Sequence, residues 1–284
     1  MFVDVDSDTM GMSPEKLEHW LKHNTKPSKL SQPSKLSQLS KPNKPSITPI
    51  NQSTNQPISA IVPMHTFGFP CRIDEIIEIA NKYSIPVIED YAESLGSFYK
   101  GRHTGTFGTA GILSYNGNKT ITTGGGGMII TDNKDFAVKA KHITTTAKTP
   151  HKWEYIHDEV GYNFRLTNIS AALGVAQMES LTSIIENKRK TAGLYHNYFN
   201  NTDINFVNEL NNSFANFWLN CIKFENREER NNFLEETNAN GVMTRPIWRL
   251  MNKLEMYKDC QTGDLENSQN LEDRIVNIPS GYRL

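Results

Sequence analysis

Two short apolar runs that end in polar side chains constrain the fold of this chain more than any other feature. Ile85-Pro86-Val87-Ile88-Glu89-Asp90 and Ala110-Gly111-Ile112-Leu113-Ser114 have the length and continuity of buried parallel strands, and each delivers polar groups to a carboxyl edge. Ahead of them, Ala60-Ile61-Val62-Pro63-Met64 reads as a strand, and Ile73 to Tyr83 as a helix with Ile73, Ile76, Ile77 and Ala80 on one stripe. Strand, helix and strand in this order make a βαβ unit, so a parallel sheet is expected. A strand at 127–131 continues it, followed by a helix from about Asp135 to His142.

The start and the end of the chain read differently. Phe2-Val3-Asp4-Val5-Asp6 alternates like a strand, and Ser13-Pro14-Glu15 opens a helix with a cap, a first-turn proline and an acid on the dipole. A long helix from Asn168 to Asn187 carries Ile169, Ala172, Leu173, Ala176, Leu181, Ile184 and Ile185 along one stripe, which is either core or interface. After about Thr191 the style changes. Strands at 205–207, 217–224 and 242–248 and a helix from Arg227 to Thr237 predict a small α+β domain over 191–284, beside an α/β domain over 1–190. The expected fold class is α/β, a three-layer sandwich around a mostly parallel sheet.

One segment resists any such reading. Residues 27–32 spell PSKLSQ and 33–38 spell it again, within a Ser, Pro, Lys, Asn and Gln-rich stretch over 24–57. Too little apolar surface is present there to offset an ordering cost of about 1–2 kcal/mol per residue, so a disordered loop is expected. That stretch explains much of the low apolar fraction, 37 % of 284 residues, and leaves the rest normally globular.

Net charge is −1, which gives no global electrostatic reason to bind nucleic acid or a membrane surface. No apolar run approaches the roughly 18 residues of a membrane span, and the N-terminus lacks the order of a signal peptide, so a soluble cytoplasmic protein is expected. Cys71, Cys221 and Cys260 are widely spaced, and His65, His151 and His157 lack ligand spacing, so neither a disulfide framework nor a metal site is indicated. His65, at a strand end, either touches substrate or is a hydrogen-bonded loop histidine. Asp4, Asp6, Asp8 and Glu15 imitate a calcium loop, but Thr9 stands where glycine is needed and no helix precedes it.

Chemistry concentrates around Lys119. It lies on the loop leaving the strand 110–114, ahead of Gly124-Gly125-Gly126-Gly127, a run without P-loop or Rossmann order that favours close backbone packing. An amine and an acid, Asp90, at one sheet edge suggest cofactor chemistry. In this order PMHTFGFPCRIDEI, VIEDYAESLGS, YKGRHTGTFG, SYNGNK, GGGGMIIT and GYNFRL resemble the DegT/DnrJ/EryC1/StrS sugar aminotransferases. ESLGS, NGNKTITTGGGG and HITTTAK are most similar to the LegC-like subgroup of surface-polysaccharide and nonulosonic-acid pathways.

The resemblance implies a type I aminotransferase fold and pyridoxal 5′-phosphate as cofactor. It assigns Lys119 to the covalent link with the cofactor and to proton transfer, Asp90 to the pyridine nitrogen, and Ser114 to the phosphate. Glu93, where most of the family reads glutamine or histidine, is placed near the ring and its phenolic oxygen. Asn163 matches an asparagine that reaches the phosphate of a neighbouring subunit, which implies a homodimer. The implied reaction is amino transfer from an L-amino acid, typically glutamate, to a nucleotide-linked 4-keto-6-deoxy sugar. Relatives carry a further segment before the part matching Phe2 to Asp6, including a helix N-terminus that holds the cofactor phosphate. The rival expectation is therefore an N-terminally truncated, catalytically inert chain that acts as an assembly partner.

Overall fold

The computed structural model describes residues 1–26 and 50–283. The PSKLSQ repeat and the rest of 27–49 lie outside the described residues, but the flanks of the stretch are placed: Thr25–Lys26 pairs antiparallel with Ile50–Asn51.

At the centre, Ile88–Asp90 runs parallel to Ala110–Ser114 with Asp90 opposite Ile112. On its other side the extended segment before the second helix adds parallel bridges from Ile61 to Val87 and from Met64 to Asp90. Gly127–Ile130 closes the other flank, antiparallel to Ala110–Ser114. Of the four glycines at 124–127, Gly126 and Gly127 show the close approach that the sequence suggested, whereas Gly124 and Gly125 face open space. A Cβ on Gly127 would stand 2.6 Å from the Leu113 carbonyl oxygen, and Gly126, at φ +95°, would meet Leu166 at 2.8 Å.

Helix α1 (Pro14–Asn24) starts as expected, with Ser13 Oγ accepting the N–H of Lys16. It sets Leu17, Trp20 and Leu21 against Ile73, Ile76, Ile79 and Ala80 of α2 (Ile73–Lys82), and against Ile85 and Val87 of the sheet. Each such side chain contributes about 1.5–3 kcal/mol when fully buried. Phe2–Asp6 is not a ladder strand. Phe2 and Val5 make one bridge each, and Asp4 instead accepts the N–H groups of Asn267 (2.9 Å) and Ser268 (2.8 Å) at the start of a C-terminal helix. Asp6 and Asp8 both bind Arg72, at 2.6 and 2.7 Å, so the calcium-like spacing serves an ion pair and a helix cap.

Beyond α3 (Lys134–Thr144), the expected long helix breaks at Ser180 into α4 (Asn168–Glu179) and α5 (Leu181–Phe199). No residue of α4 is buried, whereas α5 buries Ile185, Lys188, Ala192 and Phe199. The C-terminal sheet is antiparallel in the order Asn205–Phe206, Asn220–Lys223, Ile275–Ile278, Arg245–Pro246, with α6 (Arg227–Ala239) and α7 (Glu266–Arg274) beside it. Its fully buried strand Ile275–Ile278 is not among the sequence expectations, and the strand expected at 217–224 begins only at Asn220, because Phe217 adopts φ +49°. Met10, Phe67 and Phe69 share one apolar cluster with Ala192, Phe217, Trp218, Leu271 and Ile275, which carries packing across the expected boundary at 190. All three cysteines are free. Among the described residues no helix is long and apolar enough to cross a membrane.

Candidate active site

Period-two alternation sends the adjacent acids Glu89 and Asp90 to opposite faces of their strand. Asp90 is half-buried at the carboxyl end, and its Oδ1 accepts the N–H of Ala92 at 3.1 Å. Glu89 is fully buried. Its Oε1 accepts the N–H groups of Phe107 and Gly108 (both 2.6 Å), and its Oε2 that of Gly105 (2.8 Å) and His65 Nε2 (3.1 Å). Burial alone would raise this carboxyl, but His65 and the loop amides outweigh it and hold Glu89 below the usual carboxylate range. His65 Nδ1 accepts the N–H of Cys71 at 3.2 Å, which puts the ring proton on Nε2, facing Glu89. Both nitrogens are engaged in the interior, so His65 is a structural histidine.

On the neighbouring strand Ser114 Oγ accepts the N–H of Asn116 at 3.2 Å and starts the loop that carries Lys119. That loop is closed on itself. The Lys119 N–H donates to the Asn116 carbonyl (3.0 Å), while the Thr122 hydroxyl and the Thr123 N–H both return to Tyr115 O (3.0 and 3.2 Å).

Lys119 Nζ donates to Glu93 Oε1 at 3.2 Å, with the two side chains 14 % and 6 % exposed. The Trp218 ring covers the ammonium at 4.2 Å. Glu93 Oε2 accepts the N–H of Phe67 at 2.8 Å. Burial pushes the Glu93 carboxyl up; Lys119 and the Phe67 N–H pull against this, and Asp90 reinforces it.

Residues far along the chain set this pair. Trp218 Nε1 donates to Asn118 O at 2.7 Å on one side of Lys119, and Asn216 Nδ2 reaches Thr120 Oγ1 at 3.3 Å on the other. The same amide donates to the Glu93 and Leu95 carbonyls at 2.8 and 2.9 Å, so one side chain ties the acid and the lysine loop together. Phe67 (φ +57°) and Phe217 (φ +49°), both left-handed, flank this contact, a conformation that costs on the order of 1–3 kcal/mol per residue.

Lys119 opens on a cleft of about 250 Å³, whose walls include Thr120, Ile184, Lys188, Trp218 and Tyr282. Lys188 is buried in it. Its Nζ donates to Ser280 O at 2.7 Å, and burial lowers its pKa to about 8. The sequence reading missed Lys188, Trp218 and Asn216, which sit on another helix and another loop. Asn163 is exposed, accepts from Arg165 Nη1 at 3.0 Å and contacts none of Lys119, Glu93, Asp90 or Ser114. At the surface His142, Asp158 and Glu159 bring metal-ligating atoms together, and the Lys139 ammonium already binds Glu159.

Residues 1–284 match the DegT/DnrJ/EryC1/StrS aminotransferase family. The chain belongs to that family. It is 31 % identical to EpsN of Bacillus subtilis (strain 168) over 100 % of its own length and 67 % of that protein. It is 35 % identical to the GDP-perosamine synthase of Escherichia coli O157:H7 over 83 % of its length and 64 % of that enzyme. The chain thus spans about two thirds of these relatives. Helicobacter pylori PseC, an aminotransferase involved in the biosynthesis of pseudoaminic acid, superposes with a TM-score of 0.81 at 19 % identity, covering 98 % of this chain and 67 % of PseC. That likeness establishes the α/β fold of type I aminotransferases, and the aminotransferases of the family use pyridoxal 5′-phosphate.

Proposed function

We propose that this chain transfers an amino group from an L-amino acid, with glutamate as donor, to the keto carbon of a nucleotide-linked 4-keto-6-deoxy sugar, using pyridoxal 5′-phosphate. The observation that carries the reading is the buried contact between Lys119 and Glu93 beside Asp90, at the carboxyl edge of the sheet. The nucleotide-sugar substrate follows from the likeness to a GDP-perosamine synthase; the LegC-like motifs favour a surface-polysaccharide or nonulosonic-acid pathway.

The residues present fit the cofactor. A buried amine is available for covalent attachment, and a half-buried carboxylate, its direction fixed by the Ala92 N–H, is available for the pyridine nitrogen. When bound, pyridoxal phosphate supplies the electron sink that makes the donor's Cα–H acidic. The chain's own residues do the rest. Lys119 must lose a proton to attack a carbonyl, and Glu93, whose carboxyl burial has pushed up, receives it at 3.2 Å. The neutral Lys119 amine would accept the proton lost from the donor's Cα and hold it as an ammonium. Ser114, at the start of the lysine loop, would hold the phosphate, with Asn163 of a second copy as the further contact that the family resemblance implies. On α4 Ile169 and Leu173 are exposed on one face and Val175 and Met178 on another, and this apolar surface, not core in one copy, supports a homodimer because it is available to a second.

Glutamate-dependent amination of a 4-keto-6-deoxy sugar nucleotide by the purified chain tests the proposal. Product that disappears in Lys119→Ala is expected. Product that survives the substitution, or none from any such sugar nucleotide, would overturn it.

A further inference from the structure

We propose that Lys188 forms an oxyanion subsite in the wall of the Lys119 cleft, taking either the carboxylate of the amino donor or a phosphate group. Lys188 sits one turn after Ile184 on α5, and both side chains line the cleft. It is only 7 % exposed, yet among the described residues its Nζ has a single partner, the neutral carbonyl of Ser280. An ammonium has three N–H groups, so two remain. Among the described residues no carboxylate forms an ion pair with it. A buried charge without a counter-charge is expensive, and here burial alone already weakens the amine's hold on its proton.

The rest of the cleft explains where the counter-charge belongs. Lys119 is matched by Glu93, so among the described residues that line the cleft Lys188 is the unmatched cation. The wall beside it is fixed. Asn187 both donates to Arg283 O (2.7 Å) and accepts the Arg283 N–H (2.9 Å), Tyr195 donates to Pro279 O (3.0 Å), and Ser280 Oγ accepts the Asn220 N–H (2.7 Å). A carbonyl held this firmly keeps the ammonium in place without neutralising it. About 250 Å³ accommodates one carboxylate or phosphate group, and a compact ammonium donates charge-assisted hydrogen bonds to either. The two sources named rest on the proposed reaction; the subsite itself stands without it.

Calorimetric titration of the cofactor-free full chain near pH 7 with inorganic phosphate, and separately with L-glutamate, tests this. Wild type and Lys190→Met, an exposed neighbour on the same helix, should bind at least one of them, and Lys188→Met at least about tenfold more weakly. Glutamate binding that 4-aminobutyrate cannot reproduce assigns the donor's α-carboxylate, whereas tighter phosphate binding assigns a phosphate. Equal binding by Lys188→Met, or none by wild type at millimolar ligand, would overturn the proposal. Should Lys188→Met not fold, Lys188→Gln in the same titrations decides, with the same loss expected and equal binding overturning the proposal. Lys119 with Glu93, and Tyr282, are the other titratable groups facing the cleft, and affinity should fall as pH rises through about 8. Affinity that stays level from about pH 7 to 9 would contradict it.

Discussion

Two buried charges, Glu89 and Lys188, are treated in opposite ways. Glu89 accepts from three backbone N–H groups and from His65, so that every part of its charge has a fixed partner inside the protein. Lys188 has one neutral carbonyl and an open cleft. A saturated charge holds structure, and here it pins the loop 105–108; an unsaturated one leaves work for a ligand. Between these extremes stands the Lys119–Glu93 pair, matched but close enough to exchange a proton.

The largest effect that can break this contrast is at Glu89. Glu89→Ala strands three amides and a histidine in the interior and should cost about 3–5 kcal/mol in urea denaturation. A loss under about 1 kcal/mol would mean that the saturated network does not hold the loop. Lys188→Met should do the reverse and raise stability at pH 7. With its folded pKa near 8 against the ordinary 10.5, the unfolded chain binds more protons between those values, so wild-type stability should climb with pH across that window by about 3 kcal/mol. The variant's denaturation curves should lack that climb. A smaller loss is expected from Asn216→Ala, about 1–3 kcal/mol for the abandoned Glu93 and Leu95 carbonyls, together with weaker cofactor binding measured by absorbance. Smallest is Leu173→Glu on exposed α4, within about 0.5 kcal/mol for the monomer. Sedimentation should show the proposed dimer in wild type and a monomer in this variant; a dimer in both would remove α4 from the proposed interface.

What was legible in the sequence was local. The βαβ unit, the cap at Ser13 and the lysine loop all follow from periodicity or from signals a few residues apart, and all are present. Glu93 is named by the family resemblance, which places it near the cofactor ring, and in the structure it meets Lys119. Trp218 was not, because its bond to Asn118 spans 100 positions, and Asn216 reaches Glu93 across 123. No pattern in a single sequence encodes such a contact. Lys188 reads as one more lysine on a helix until the tail carbonyl at Ser280, 92 positions on, folds over it. The strand Ile275–Ile278 was hidden by its brevity and by the charged helix before it, although it is buried throughout. The apolar positions Ile169, Ala172, Leu173 and Ala176 are visible in the sequence, but periodicity alone does not tell core from interface, and only the structure shows that no residue of α4 is buried.

Mass-spectrometric mapping after borohydride reduction of the chain with pyridoxal phosphate tests the central claim most directly. Lys188, its proton weakened by burial, is the natural competitor of Lys119 for the carbonyl. The account predicts a reduced adduct on Lys119, lost in Lys119→Ala and not transferred to another lysine. An adduct on Lys188, or label spread over surface lysines with Lys119 unmodified, would contradict it.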